Sequence, residues 1–102
     1  MRRGELWLAE VGRKRRPVLV LTRTEVLEVR ALVTVAEVTT SIRGIGAEVE
    51  LDHMQAGLER PSVINCDGLH TLTQASLTTR IGGVGDAVMG RVCTAISYAL
   101  GC

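Results

Sequence analysis

Phenylalanine is absent from the 102 residues, and one Trp and one Tyr supply the only aromatic rings. The core therefore has to be aliphatic, built from Val, Leu, Ile and Ala. The scarcity also weighs against a module that binds single strands by stacking bases on several aromatic rings. No apolar run approaches the roughly 18–20 residues needed to span a bilayer, and no leader segment is expected. We therefore expect no membrane association and a cytoplasmic location. The three cysteines, Cys66, Cys93 and Cys102, are odd in number and include no C-x-x-C, while His53 and His70 lie far apart. No zinc-ligand spacing is present, so no metal and no other cofactor is expected. Cys66 falls in a strand-like run and Cys93 in a helix-like one, which predicts reduced thiols in or near the core.

A chain of this length is expected to form one domain, residues 1–102, with no spare length for a second core. Its net charge of +1 hides an uneven distribution. Residues 1–16 hold six Lys/Arg against two Glu, and residues 25–59 hold seven acids against two Arg. Such asymmetry suggests one face for a polyanion and another for a basic partner or a second subunit. Charges that merely keep a small domain soluble are the plain alternative.

Along the chain, "GELWLAEV" (4–11) reads as a strand, and the basic segment 13–16 follows as a loop or hairpin. Pro17 to Thr22 is hydrophobic at nearly every position, a strand buried on both faces, with Pro17 at its entry. "TEVLEVR" (24–30) fits either a helical turn or a strand. "ALVTVAEVTT" (31–40) is rich in β-branched residues and reads as a central strand. "SIRGIG" turns the chain into "AEVELD" (47–52), with Val49 and Leu51 inward. A loop through Pro61 leads to a fifth strand, "SVINCDGL" (62–69), and "LTQASLTTRI" holds a one-turn helix and a short closing strand. From Asp86 onward Val88, Val92, Ala95, Ile96 and Ala99 recur at spacings of three and four, an amphipathic helix capped by Asp86 and ended by Gly101. Gly90 costs that helix about 1 kcal/mol relative to Ala. The result is a mainly β (α+β) chain. Five to six strands make a strongly bent sheet or partly open barrel, followed by a C-terminal helix.

"RRGELWLAEV", "RRPVLVLTR", "VTVAEVTTSIRG" and "SVINCDGLHTLT", in that order and followed by the helix, resemble the MazF/PemK-like toxins of type II toxin–antitoxin pairs. The resemblance runs through essentially the whole chain. It implies an SH3-like barrel with an added helix, a homodimer, and a cognate antitoxin whose acidic tail lies over the RNA groove. It further implies a growth-arresting endoribonuclease that cuts single-stranded RNA at short sequences without a metal ion. The expected substrates are mRNA first, with tRNA and rRNA as further candidates. The expected products carry a 2′,3′-cyclic phosphate and a 5′-hydroxyl.

That chemistry needs an acceptor for the 2′-hydroxyl proton, positive charge on the phosphorane and a proton for the departing 5′-oxygen. Arg16 stands at the family's R-P arginine, and its planar fork of donors suits phosphate oxygens. It is assigned phosphorane stabilisation, with proton donation to the leaving oxygen as a further option. Thr39 matches the family's second catalytic position and can donate to a phosphoryl oxygen or orient the 2′-hydroxyl. Thr40 is the fallback, on the opposite face of a regular strand. Arg13, Lys14 and Arg15 are candidate electrostatic guides for the RNA backbone, and Arg43 can hold a flanking phosphate. Asp67, Gly68 and His70 fall in the segment that continues the family's groove; Asp67 can accept from a base amino group, and His70 can donate or stack. Many relatives have a longer first loop with a G-S-E string; here the link is only "EVGRKRRP", so no loop glutamate is carried over. Two other readings stay open: a toxin of the same barrel that poisons DNA gyrase, and a non-catalytic nucleic-acid-binding barrel.

Overall fold

A computed structural model describes residues 1–102. Strands β1 (Glu5–Val11) and β2 (Lys14–Val20) form a hairpin, and a helical turn α1 (Thr24–Leu27) leads to β3 (Leu32–Thr39). Strand β4 (Glu48–Glu50) and turn α2 (His53–Ala56) precede the long β5 (Val63–Thr73). A 3-10 turn over Gln74–Ser76, strand β6 (Leu77–Gly83) and helix α3 (Asp86–Leu100) complete the chain. All pairings are antiparallel, in the order β4-β5-β3-β2-β1-β6. The sheet curls without closing, as the sequence predicts. Its edge strand β6 passes close to α2 at Gly82: a Cβ there would lie 2.0 Å from the Ala56 carbonyl oxygen, so only glycine allows the approach.

The bent sheet carries a core on each face. Leu6, Leu19, Leu21, Val38, Ile64 and Cys66 face Met89, Val92 and Ala95 of α3. Ala9, Val18, Val20, Val33, Val35 and Leu77 pack on the other side with Leu27. This division explains the unbroken apolar run of β2, whose alternate residues enter different cores. Each such side chain contributes about 1.5–3 kcal/mol on burial.

Several local expectations are corrected. The hairpin turns on Gly12 and Arg13, and Lys14 to Arg16 already belong to β2, with Arg16 opposite Ala9. Pro17 therefore lies inside the strand, opposite Leu8, rather than at its entry. It is tolerated there for a specific reason. Val20 faces β1 through its carbonyl and Leu21 faces β3 through its N–H, so alternation aims the Pro17 nitrogen at β3. The β2–β3 ladder begins only at Val18, so the missing donor falls just past its end. The ambiguous 24–30 segment makes the short turn α1. Leu51 lies just past β4 and packs half-buried on the core. Asp52 caps α2, a turn hidden in an expected loop, by accepting from the N–H groups of Met54 and Gln55. Asp86 is not the cap of α3: Gly85 is, and Asp86 sits in the first turn, where its charge complements the helix dipole. Gly101 does end the helix in a left-handed conformation. Cys66 is fully buried, whereas Cys93 is exposed on α3 and accepts from the Arg3 guanidinium at 3.2 Å. No helix is long and apolar enough to cross a membrane.

Candidate RNA-cleavage site

Arg16, Glu37, Thr39, Ser41, Arg43 and Asn65 line a depression of about 180 Å³ that contains no hydrophobic residue. Strand register builds it. Arg16 shares the face of Val18 and Val20, and Glu37 and Thr39 share the face of Val33 and Val35. Past the end of that apolar core the same face turns polar. The Arg16 Nη1 lies 3.1 Å from Glu37 Oε1, with the arginine side chain 38% exposed and the glutamate 18%.

A break in the β3–β5 ladder shapes the far wall. Ala36 pairs with Leu69 and Glu37 with Asn65, so Cys66, Asp67 and Gly68 bulge out between them. Asn65 Oδ1 accepts the Asp67 backbone N–H at 3.0 Å, and Asp67 itself is exposed. Gly68 sits against Glu37: a Cβ there would fall 2.6 Å from Oε2. His70 turns its Nε2 toward Glu37 Oε2 at 3.1 Å, out of hydrogen-bond alignment, and that buried nitrogen has no other partner.

The Thr39 hydroxyl oxygen accepts the Ser41 N–H at 3.1 Å, which leaves its own proton free to donate. Thr40 lines a different hollow with Leu8, Pro17, Arg60 and Ser62. Arg43 rises from the following loop, where Gly44 takes a positive φ of 71°. Glu48 accepts from the backbone N–H groups of Arg43 and Gly44 and from Arg43 Nε, each at 2.9 Å. The Arg43 side-chain bond, opposed by desolvation and helped by the two backbone N–H groups, holds the Glu48 carboxyl below the usual carboxylate range. Arg43 Nη2 reaches to 3.5 Å from Asn65 Oδ1, over the depression. Arg13, Lys14 and Arg15 stand exposed at the hairpin tip, and none of them enters an ion pair.

The structure thus gathers Arg16, Thr39 and Arg43 around one depression, sets Gly68 and His70 against its glutamate, and leaves Asp67 and the hairpin cations outside. Sequence reasoning missed Glu37, Ser41, Asn65 and Glu48. Glu37 carried a signal: it is an acid on the face of β3 that Val33 and Val35 make apolar. No three His, Cys, Asp or Glu side chains come together as a group that could hold a metal ion.

The family profile for the PemK-like, MazF-like toxin of type II toxin–antitoxin system matches residues 2–100. The chain is 38% identical over 103 residues to "Probable endoribonuclease MazF5" of Mycobacterium tuberculosis, spanning 98% of this chain and 93% of that one. The structure of Mycobacterium tuberculosis toxin MazF-mt6 superposes with a TM-score of 0.88 at 36% identity, over 95% of this chain and 96% of that one. A mycobacterial endoribonuclease solved with its cognate antitoxin superposes with a TM-score of 0.88 at 26% identity, over 99% and 95% of the two chains. The chain belongs to the PemK-like, MazF-like toxin family of type II toxin–antitoxin systems.

Proposed function

We propose that this chain is the toxin of such a pair and arrests growth by cutting single-stranded RNA, mRNA first, at short sequences without a metal ion. Its family makes it an endoribonuclease. The observation that carries the finer reading is the all-polar depression that joins Arg16, Thr39 and Arg43. Arg16 stabilises the phosphorane and Thr39 donates to a phosphoryl oxygen, so that the 2′-hydroxyl can displace the 5′-oxygen and leave a 2′,3′-cyclic phosphate. Arg43 holds a flanking phosphate, and Arg13, Lys14 and Arg15 guide the strand toward the site. Asp67, exposed beside the site, is the candidate contact to a base.

The toxin acts in the cytoplasm as a homodimer. A cognate antitoxin covers the groove with an acidic segment, a partner supported by the relative solved with its antitoxin. Purified protein incubated with single-stranded RNA in EDTA tests the reading. It predicts fragments with 5′-hydroxyl and 2′,3′-cyclic phosphate ends, clustered at one short sequence. Intact RNA, or ends of the opposite polarity, contradicts it.

A further inference from the structure

We propose that Glu37 is the base that removes the 2′-hydroxyl proton, an assignment that rests on the nuclease reading above. Of the six residues lining the depression, Glu37 alone carries a carboxylate, the one group there suited to accept a proton from a hydroxyl. The guanidinium groups of Arg16 and Arg43 are donors with no acceptor, the Asn65 amide and the Ser41 hydroxyl are weak acceptors, and Thr39 already uses its oxygen to accept the Ser41 N–H.

The carboxylate is held in place rather than left to swing. Arg16 approaches Oε1 and His70 approaches Oε2, each at 3.1 Å. Gly68 leaves the space Oε2 occupies, since a Cβ there would fall 2.6 Å from it and make the carboxylate shift. Gly68 has no positive φ, so this glycine answers to the neighbouring carboxylate and not to the backbone. An acid here also sits directly after the buried Val33 and Val35 on its face of β3, and a partly desolvated charge is costly unless its partners or its chemistry repay it.

The Arg16 contact does not bar the role. The guanidinium has five donors, and its contact with Oε1 is made through Nη1 alone. An arriving RNA phosphate can take over some of those donors and free Oε1 toward the 2′-hydroxyl. His70 is the positioning residue. Its buried Nε2 lacks an aligned hydrogen bond, and a small rotation toward Oε2 supplies one, the kind of tightening expected on substrate binding. In the step itself the 2′-proton passes to Oε1, the 2′-oxygen bonds to phosphorus and the phosphorus–O5′ bond breaks. The 5′-oxygen takes a proton from water, and Glu37 returns its proton to solvent, which balances the hydroxide left behind.

Single-turnover cleavage of a single-stranded RNA in EDTA tests the assignment, with binding measured on the same oligonucleotide carrying 2′-O-methyl groups. Glu37→Gln is expected to slow cleavage by about 10²–10⁴-fold while binding the methylated RNA as the wild type does. Glu37→Ala is expected to regain activity with added formate, not with chloride at equal ionic strength. Gly68→Ala, whose methyl group makes the carboxylate shift without removing it, should slow cleavage less, and the formate response of Glu37→Ala keeps the test open if Glu37→Gln does not fold. Wild-type rates in Glu37→Gln, or no response of Glu37→Ala to formate, overturn the base and leave the nuclease reading intact. A wild-type protein that cuts no RNA overturns that reading, and the base with it.

Discussion

Glu48 grips Arg43 twice, accepting its backbone N–H on one carboxylate oxygen and its side-chain Nε on the other, both at 2.9 Å. The loop after β3 is thereby tied to the start of β4, and a long, flexible cation is aimed at the depression. Glu48→Gln removes the charge from this grip. We expect it to weaken RNA binding about tenfold, the scale of one charge-assisted hydrogen bond, with a smaller effect on the cleavage step. Titration of uncleavable 2′-O-methyl RNA against both proteins measures it; equal affinities would show that the Glu48 grip does not position Arg43 for RNA.

Acid stability follows from the same carboxylate and from Glu5. Burial pushes the Glu5 carboxyl up, but the bonds it accepts from Arg80, Trp7 and the Arg2 backbone outweigh that, so it too lies below 4.5, the ordinary value. Both groups stay ionised to lower pH in the folded chain than in the unfolded one. The unfolded state therefore binds more protons on acidification, and stability falls as pH drops. Their contribution is complete above 4.5 and is lost as pH falls through the lower folded values. Urea midpoints should decline in that acid range, with a shallower decline in the Glu5→Gln, Glu48→Gln double variant. An identical slope in the two proteins would remove these carboxylates from the account.

The two neighbouring threonines separate by face. Thr39 lines the depression with Arg16, and Thr40 lines a hollow on the other side of the strand. Thr39→Val should slow cleavage by roughly 10–100-fold, the loss of one hydrogen bond to a charged phosphoryl oxygen. Thr40→Val should cost much less. Initial rates on one RNA decide it, and the reverse order would move the hydroxyl's role to Thr40.

The thiols should divide two to one. Burial, followed by the nearby charges of Asp67 and Cys93, pushes Cys66 up to about 11, and its side chain is fully covered. Cys93 and Cys102 are exposed. At about pH 8 only about one Cys66 in a thousand would be the reactive thiolate, even with free access. An aromatic disulfide reagent should therefore titrate two thiols quickly and the third only after denaturant is added. Three fast thiols would contradict the packing of β5 beneath α3.

The fold was legible because its signals are periodic and local. β-branched runs marked the strands, and the three-and-four spacing after Asp86 marked the helix. The misses arose where tertiary register decides. Pro17 reads as a strand entry until the ladder beside it is seen to begin at Val18. Asp86 reads as a cap until Gly85 takes the position. At the site, Arg16, Thr39 and Arg43 were reached through family resemblance and lie around one depression. Glu37 left only the faint mark of an acid on an otherwise apolar stretch of β3, and Asn65 left none, because a single amide in a strand becomes informative only when the register shift over residues 66–68 sets it opposite Glu37.

The central claim is that the Arg16 depression is where RNA is cut, and single-turnover cleavage by Arg16→Ala in EDTA tests it most directly. The account predicts a loss of at least about a hundredfold, the scale of removing one donor to a developing oxyanion. The melting temperature should stay near that of the wild type, because the side chain is 38% exposed. A folded Arg16→Ala protein that cuts at the wild-type rate would contradict it.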